Sequence, residues 1–224
     1  MKHKVFIVDD HPIVRQGLAQ MIRREPDLTV CGEAEDAQSA LQMIYALKPD
    51  ILIVDISLHG PDGLDLLKSV RAKDPTLPVL ILSMHDESIY AERSLRAGAN
   101  GYIMKQEATE NVLVALRRIL NREVYVSPQI ANKMLQRFVS AGAAHGKHSL
   151  SELSDRELEV LRLMGEGHST RQIADTLHLS VKTVESYQAH LKEKLALKNS
   201  RELVQYAVQW TLNAKSESRA IETT

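Results

Sequence analysis

Val5-Phe6-Ile7-Val8-Asp9-Asp10-His11-Pro12 sets four consecutive apolar residues, three of them β-branched, directly before two acids. So short an apolar run, without polar alternation, fits a strand buried on both faces of a parallel sheet. The block recurs twice, as Ile51-Leu52-Ile53-Val54 closed by Asp55 and as Val79-Leu80-Ile81-Leu82 closed by Ser83. Thr29-Val30-Cys31-Gly32 and Gly101-Tyr102-Ile103-Met104 are shorter strand candidates, the second followed by Lys105. The intervening stretches show helical spacing, as in Val14, Gly17, Leu18, Met21, Ile22 and in Ala37, Ala40, Leu41, Ile44. Residues 1 to about 122 therefore alternate strand and helix five times, closing on the helix around Val112, Leu116, Ile119 and Leu120. That order predicts an α/β, doubly wound, parallel five-stranded sheet with its ligand site at the carboxyl ends of the strands.

Ser127-Pro128 opens a short helix that runs to about Ser140, because Pro is tolerated in a first turn. Ala141 to Ser149 lacks apolar periodicity and reads as a flexible linker. Beyond it the signals are all helical. Ser154-Asp155-Arg156-Glu157 and Ser169-Thr170-Arg171-Gln172 fit capping boxes, and Asn199-Ser200-Arg201-Glu202 opens a last helix in similar fashion. Gly165 and Gly167 end the first of these helices, and His178-Leu179-Ser180 turns the second into the third. The division expected is 1–122, a connector over 123–149, a four-helix unit over 150–212, and a frayed tail over 213–224.

At 224 residues the chain is long enough for two small domains, each with its own core. Hydrophobic residues make up 44% and charged residues 25%, which excludes wholesale disorder. No apolar run approaches the roughly 18 residues of a membrane span, and no signal-peptide segment opens the chain, so a soluble, cytoplasmic protein without a membrane partner is expected. Cys31, the single cysteine, forbids an intramolecular disulfide, argues against a cysteine-based zinc site and reads as a small core residue. The net charge of −1 hides an uneven distribution. Residues 1–123 carry 15 Lys+Arg against 18 Asp+Glu, and 124–148 carry 3 against 0. Within the helical unit, 149–179 carry 3 against 6, whereas 180–201 carry 5 against 2.

Chemistry in the first domain follows from where the acids fall. Asp9, Asp10 and Asp55 all sit at strand ends, so a parallel sheet gathers three carboxylates at one edge. Like charges held that close raise one another's pKa unless a cation is present. Mg²⁺ suits a few carboxylates with water and phosphate oxygens. Ser83 and Lys105 add a hydroxyl and an ammonium to the same edge, and together the set could hold a phosphoryl group.

Val8-Asp9-Asp10-His11-Pro12, Asp55 with Gly60-Pro61-Asp62-Gly63, Ser83, and Ala97-Gly98-Ala99-Asn100-Gly101-Tyr102 through Lys105 resemble the response-regulator receiver domain of two-component systems. The resemblance covers about residues 1–122 and implies a flavodoxin-like fold. It implies that Asp55 accepts a phosphoryl group from a sensor histidine kinase. It also implies that Asp9, Asp10, Asp55 and the backbone carbonyl of Ser57 bind Mg²⁺, that Ser83 and Lys105 contact phosphoryl oxygens, and that Tyr102 changes rotamer with Ser83. The chain departs from many relatives at Leu58-His59, where they have Met-Pro, and at Gln106, where they have Pro.

In the second domain, Ile173, Ala174 and Leu177 give one helix a buried face. At about 100° per residue, Val181, Val184, Leu191 and Leu195 fall on one side of the next helix. Lys182, Glu185, Ser186 and Ala189 fall on the other, where a recognition helix presents side chains to the major groove. Leu153 to Leu161, Ile173-Ala174, Leu179 to Glu185 and Lys194-Leu195 are similar to the LuxR-type helix-turn-helix domain. With the receiver in front, the whole chain resembles a NarL/FixJ-type response regulator. The resemblance implies that Lys182, Thr183 and Tyr187 touch phosphates of double-stranded DNA and that Glu185, Ser186 and Ala189 face bases. Lys192 and Lys194 add positive charge and are expected to bind DNA as well. The last helix, with Leu203, Val204, Ala207, Val208 and Trp210, is implied in dimerisation.

The expectation is a transcription factor, not an enzyme. Phosphorylation at Asp55, lost at most slowly by autodephosphorylation, would promote homodimerisation on DNA and engagement of RNA polymerase. One rival is an aspartyl-phosphate phosphohydrolase, which typically needs a second Asp where this chain has Ser57. Another is a regulator acting through protein contacts alone. A nucleotide-binding domain is disfavoured because no Gly-rich loop follows the first strand.

Overall fold

Val5 to Val8, Ile51 to Val54 and Val79 to Leu82 are each at most 1% exposed, so the apolar blocks lie between two layers of helix. The computed structural model describes residues 2–58, 62–84, 87–140 and 153–221. The chain divides into two compact units, Met1–Ser140 and Ala141–Thr224.

The first unit runs β1 (His3–Val8), α1 (Pro12–Arg23), β2 (Leu28–Ala34), α2 (Ala37–Leu47), β3 (Ile51–Asp55), α3 (Gly63–Lys73), β4 (Val79–Ser83), α4 (Glu87–Arg96), β5 (Gly101–Met104), α5 (Ala108–Leu120) and α6 (Pro128–Ser140). All four strand pairings are parallel, and the order is β2-β1-β3-β4-β5. The winding therefore reverses between β1 and β3, which places the switch point of the sheet beside Asp9, Asp10 and Asp55.

One sheet face, with Val5, Ile7, Ile51, Ile53, Leu80 and Leu82, packs on Leu18, Ala19 and Ile22 of α1 and on Val112, Ala115, Leu116 and Ile119 of α5. Alternation along each strand turns Phe6, Leu52, Val54 and Ile81 to the other face, where α2, α3 and α4 supply Ala40, Ile44, Leu67, Val70 and Ala91, all buried. Each fully buried large aliphatic side chain contributes about 1.5–3 kcal/mol, which is what holds the helices to the sheet. Local chemistry sets the helix starts: Asp36 accepts the N–H groups of Gln38 and Ser39, and Asp62 accepts that of Asp65. Cys31 is half-buried in the edge strand β2, not in the core.

Residues 123–140, expected as part of a connector, belong to the first unit. Tyr125 pairs with Gly101 at the free edge of β5, and Ile130 of α6 is 5% exposed. The expected linker over 141–149 lies outside the described residues. A sheet edge left without a partner exposes unpaired N–H and C=O groups, and Tyr125 satisfies two of them.

The second unit is α7 (Asp155–Gly165), α8 (Thr170–Thr176), α9 (Val181–Lys194) and α10 (Ser200–Ile221). Both predicted capping boxes form, at Ser154 with Glu157 and at Ser169 with Gln172. Ser180 caps α9 through the N–H of Thr183, and Asn199 accepts the N–H of Glu202. His178 turns α8 into α9 with φ 52°, a left-handed conformation. Leu158, Leu161, Ile173, Ala174, Val184, Leu191, Leu195, Leu203 and Ala207 form the core. At Gly165 a Cβ would collide with the Thr211 hydroxyl and the Ala207 carbonyl, so only glycine lets α7 and α10 cross this closely. Two expectations need correction. Val181, in the first turn of α9, is 42% exposed and does not share the burial of Val184, Leu191 and Leu195. α10 continues through Ile221, past the fraying expected after Leu212, where Ala214, Lys215, Glu217, Arg219 and Ala220 are strong helix formers. No helix among the described residues is long and apolar enough to cross a membrane.

Candidate functional site

The ends of β1, β3, β4 and β5 bring the expected residues of the first unit to one edge. Asp9, next after β1, and Asp55, the last residue of β3, are each 1% exposed. Lys105 follows β5 and places its Nζ 2.7 Å from Asp9 Oδ2 and 2.7 Å from Asp55 Oδ2. The other carboxylate oxygens take backbone donors: His11 N–H to Asp9 Oδ1 at 2.8 Å, and Ser57 N–H to Asp55 Oδ1 at 3.2 Å. Burial is the main force pushing the Asp55 carboxyl up to about 6. The charge of Asp9 adds to it, while the charge and hydrogen bond of Lys105 and the Ser57 amide act the other way. Burial also works against the Lys105 ammonium, but Asp55 and Asp9 outweigh it and hold its pKa above the ordinary value.

The loop after β3 is shaped by Gly63. A Cβ there would overlap the carbonyl oxygen of Asp55, and the Gly63 N–H donates to the Ile56 carbonyl at 2.8 Å. Ser83 closes β4 fully buried, and Tyr102, the second residue of β5, is 1% exposed. His59, the departure after Asp55, lies outside the described residues, and no cis peptide bond occurs among them.

Carboxylate oxygens of Asp9, Asp10 and Asp55 and a ring nitrogen of His11 all lie within 4.8 Å of one another. Hard oxygen donors in that number fit a small divalent cation such as Mg²⁺. Sequence reasoning passed over two neighbours. His11 sets its Nδ1 2.6 Å from Asp10 Oδ1, and Arg15 donates from Nη1 to the Asp9 backbone carbonyl at 2.5 Å. Their signal was positional: His11 directly follows the two acids, and Arg15 stands one helical turn further on.

In the second unit α9 presents Lys182, Glu185, Ser186 and Ala189 to solvent, while Val184 and Leu191 are buried beneath them. Thr183 and Tyr187 are half-buried at the edges of that face, as is Lys192. The Ser186 hydroxyl donates to the Lys182 carbonyl at 3.0 Å, leaving its oxygen able to accept. Gln188 reaches back to the Thr170 hydroxyl at 3.3 Å and ties α9 to the start of α8.

Lys194 lies at the end of α9 and pairs across to α7. Its Nζ lies 2.7 Å from Glu157 Oε2, and Glu157 is 3% exposed. This cation, paired with a buried carboxylate, ties α9 to α7. Burial alone would raise the Glu157 carboxyl, but Lys194 and the Ser154 amide and hydroxyl together hold it below its ordinary value.

Comparison with known proteins bears on both units. The family described as the response regulator receiver domain matches residues 5–117, and that of the bacterial regulatory proteins of the luxR family matches 151–207. The chain belongs to the LuxR-family response regulators. This response regulator is 37% identical over 210 residues to the oxygen regulatory protein NreC of Staphylococcus aureus, covering 92% of this chain and 97% of that protein. Among solved structures it is similar to RcsB from Salmonella enterica serovar Typhimurium, bound to promoter rprA in the presence of phosphomimetic BeF3-. That similarity has a TM-score of 0.59 at 29% identity and covers 93% and 99% of the two chains. A LuxR-family two-component response regulator from Aurantimonas sp. SI85-9A1 gives a TM-score of 0.58 at 34% identity, over 62% of this chain and 99% of that one. This places the response regulator among DNA-binding members of two-component systems.

Proposed function

We propose that Asp55 accepts a phosphoryl group from a sensor histidine kinase and that phosphorylation promotes a homodimer which binds double-stranded DNA through α9. The observation that carries this reading is the pocket of Asp9, Asp10, Asp55 and Lys105 on the same chain as an exposed, basic-flanked α9. Asp55 attacks phosphorus with a carboxylate oxygen as the phosphorus–nitrogen bond to the kinase histidine breaks. Lys105 then exchanges its bond to the Asp55 carboxylate for one to a phosphoryl oxygen, and Ser83 donates to another. Asp9, Asp10, Asp55 and the Ser57 backbone carbonyl would hold Mg²⁺, which when bound neutralises carboxylate and phosphoryl charge. Tyr102, buried in this structure, changes rotamer as Ser83 is drawn to the phosphoryl group, a population shift between two arrangements.

On DNA, Lys182, Thr183, Tyr187 and Lys192 contact phosphates, and Glu185, Ser186 and Ala189 face bases, with Glu185 placed to accept from a cytosine amino group. Lys194 contributes by fixing α9. The regulator acts in the cytoplasm, engages RNA polymerase at its promoters, and turns over its own phosphoryl group slowly at most.

The test treats the full chain with a small acyl phosphate and Mg²⁺, and measures phosphoryl incorporation and affinity for duplexes selected from a random pool. Incorporation that depends on Asp55, with tighter DNA binding, is expected. Equal DNA binding and an equal response in Asp55→Ala would overturn the reading.

A further inference from the structure

The segment 124–130 carries features that a passive connector does not need. Tyr125 donates its N–H to the Asn100 carbonyl at 3.0 Å and accepts the N–H of Tyr102 at 2.9 Å, extending the sheet by one bridge. Its ring lies under the Arg118 guanidinium of α5, 5.6 Å from the ring centre. Two residues later the Ser127 hydroxyl donates to Glu87 Oε1 at 2.6 Å and accepts the N–H of Ile130 at 3.2 Å, so one side chain both caps α6 and fastens it to the first turn of α4. Ile130 is buried. Both attachment points fall on elements next to the pocket. Glu87 opens α4 four residues after Ser83, and Tyr102 is itself bonded to Tyr125.

We infer that the segment from Tyr125 through α6 is a clasp on the β5–α4 edge, which resists displacement of Ser83 and Tyr102 and is thermodynamically coupled to phosphoryl binding at Asp55. This rests on the phosphoacceptor reading above. Moving β5 or the start of α4 strains the Tyr102–Tyr125 and Ser127–Glu87 bonds. A phosphoryl group that shifts the end of β4 and the backbone of β5 toward the pocket therefore loosens the clasp. By linkage, weakening the clasp favours phosphoryl binding by the same factor. A hydrogen bond to a charged acceptor has the weight to shift such an equilibrium by about tenfold.

The test titrates beryllofluoride with Mg²⁺ into the full chain by calorimetry, and follows amide exchange at Tyr102 and Tyr125. Glu87→Ala removes the fastening and leaves the Ser127 cap on α6. Ser127→Ala removes both, and Ser127→Thr restores the hydroxyl. Expected is about tenfold tighter binding in Glu87→Ala and Ser127→Ala, parental affinity in Ser127→Thr, and faster exchange at Tyr125 when the parent is saturated. Parental affinity in both alanine variants, with Tyr125 exchange unchanged on saturation, overturns the clasp and leaves the phosphoacceptor reading standing. Failure of the parent to bind beryllofluoride overturns both. Unfolding midpoints of the variants establish that they remain folded under the titration conditions.

Discussion

Lys105 Nζ lies 2.7 Å from Asp55 Oδ2, and the two side chains are 6% and 1% exposed. Lys105 touches Asp9 at the same distance, so a single ammonium separates two buried carboxylates. Removing one member of a buried ion pair costs about 3–5 kcal/mol, because the partner's charge stays behind. Lys105→Met should therefore lower stability by about 3 kcal/mol in chelator-treated buffer. Mg²⁺ should raise the unfolding midpoint of this variant more than that of the parent, since it replaces the lost positive charge. Urea unfolding with and without Mg²⁺ measures both, and an equal Mg²⁺ effect in the two proteins would count against a cation at this edge.

Gly63 offers a purely steric test of the same edge. Because a Cβ there meets the Asp55 carbonyl, Gly63→Ala must push the start of α3 away from the end of β3. Overpacking of this kind costs about 1–3 kcal/mol. The expected result is a lower urea midpoint together with weaker Mg²⁺ binding. A variant with parental values would show that the loop has slack.

Glu157 gives the second unit an acid-sensitive lock. Its folded pKa lies below the ordinary value. The stability it contributes is thus fully present above its unfolded pKa of about 4.3 and is lost as pH falls through the lower folded value. Trp210 is the chain's one tryptophan and stands in α10, so its fluorescence reports unfolding of this unit. In Glu157→Gln the midpoint at pH 7 should fall, by about 1–3 kcal/mol of stability, and its decline between pH 5 and 3 should flatten. An unchanged acid profile would remove Glu157 from the account.

The lysines of α9 separate into two groups by salt dependence. Lys182→Ala and Lys192→Ala should each reduce the slope of log affinity against log salt by about 0.9. Lys194→Ala should lower the midpoint reported by Trp210 and leave that slope at the parental value, because its charge is committed to Glu157. A slope change in Lys194→Ala equal to that in Lys182→Ala would return it to the phosphate contacts.

Base reading is tested at Glu185, which is exposed on α9. Glu185→Ala should cost about 1–3 kcal/mol on the preferred duplex and relax preference at one base pair, with the salt slope little changed. Uniform loss on all sequences would mean that Glu185 acts on the helix and not on a base.

Much of this protein is written locally in its sequence. A four-residue apolar block ended by Asp9, Asp55 or Ser83 announces a buried strand and places the terminal side chain at its carboxyl end, since both facts depend only on neighbours in the chain. The helix starts at Ser154, Ser169, Ser180 and Asn199 are legible for the same reason, because a cap and its N–H partner lie three residues apart. Which charges meet is not local. Lys194 and Glu157 are 37 residues apart, Ser127 and Glu87 are 40 apart, and Lys105 and Asp55 are 50 apart. A lysine on a helix looks the same in sequence whether it faces a phosphate or a buried carboxylate. Only the packing of α7 against α9 assigns Lys194 to Glu157, and only the free edge of β5, with its unpaired backbone groups, turns residues 123–140 from a connector into part of the first unit.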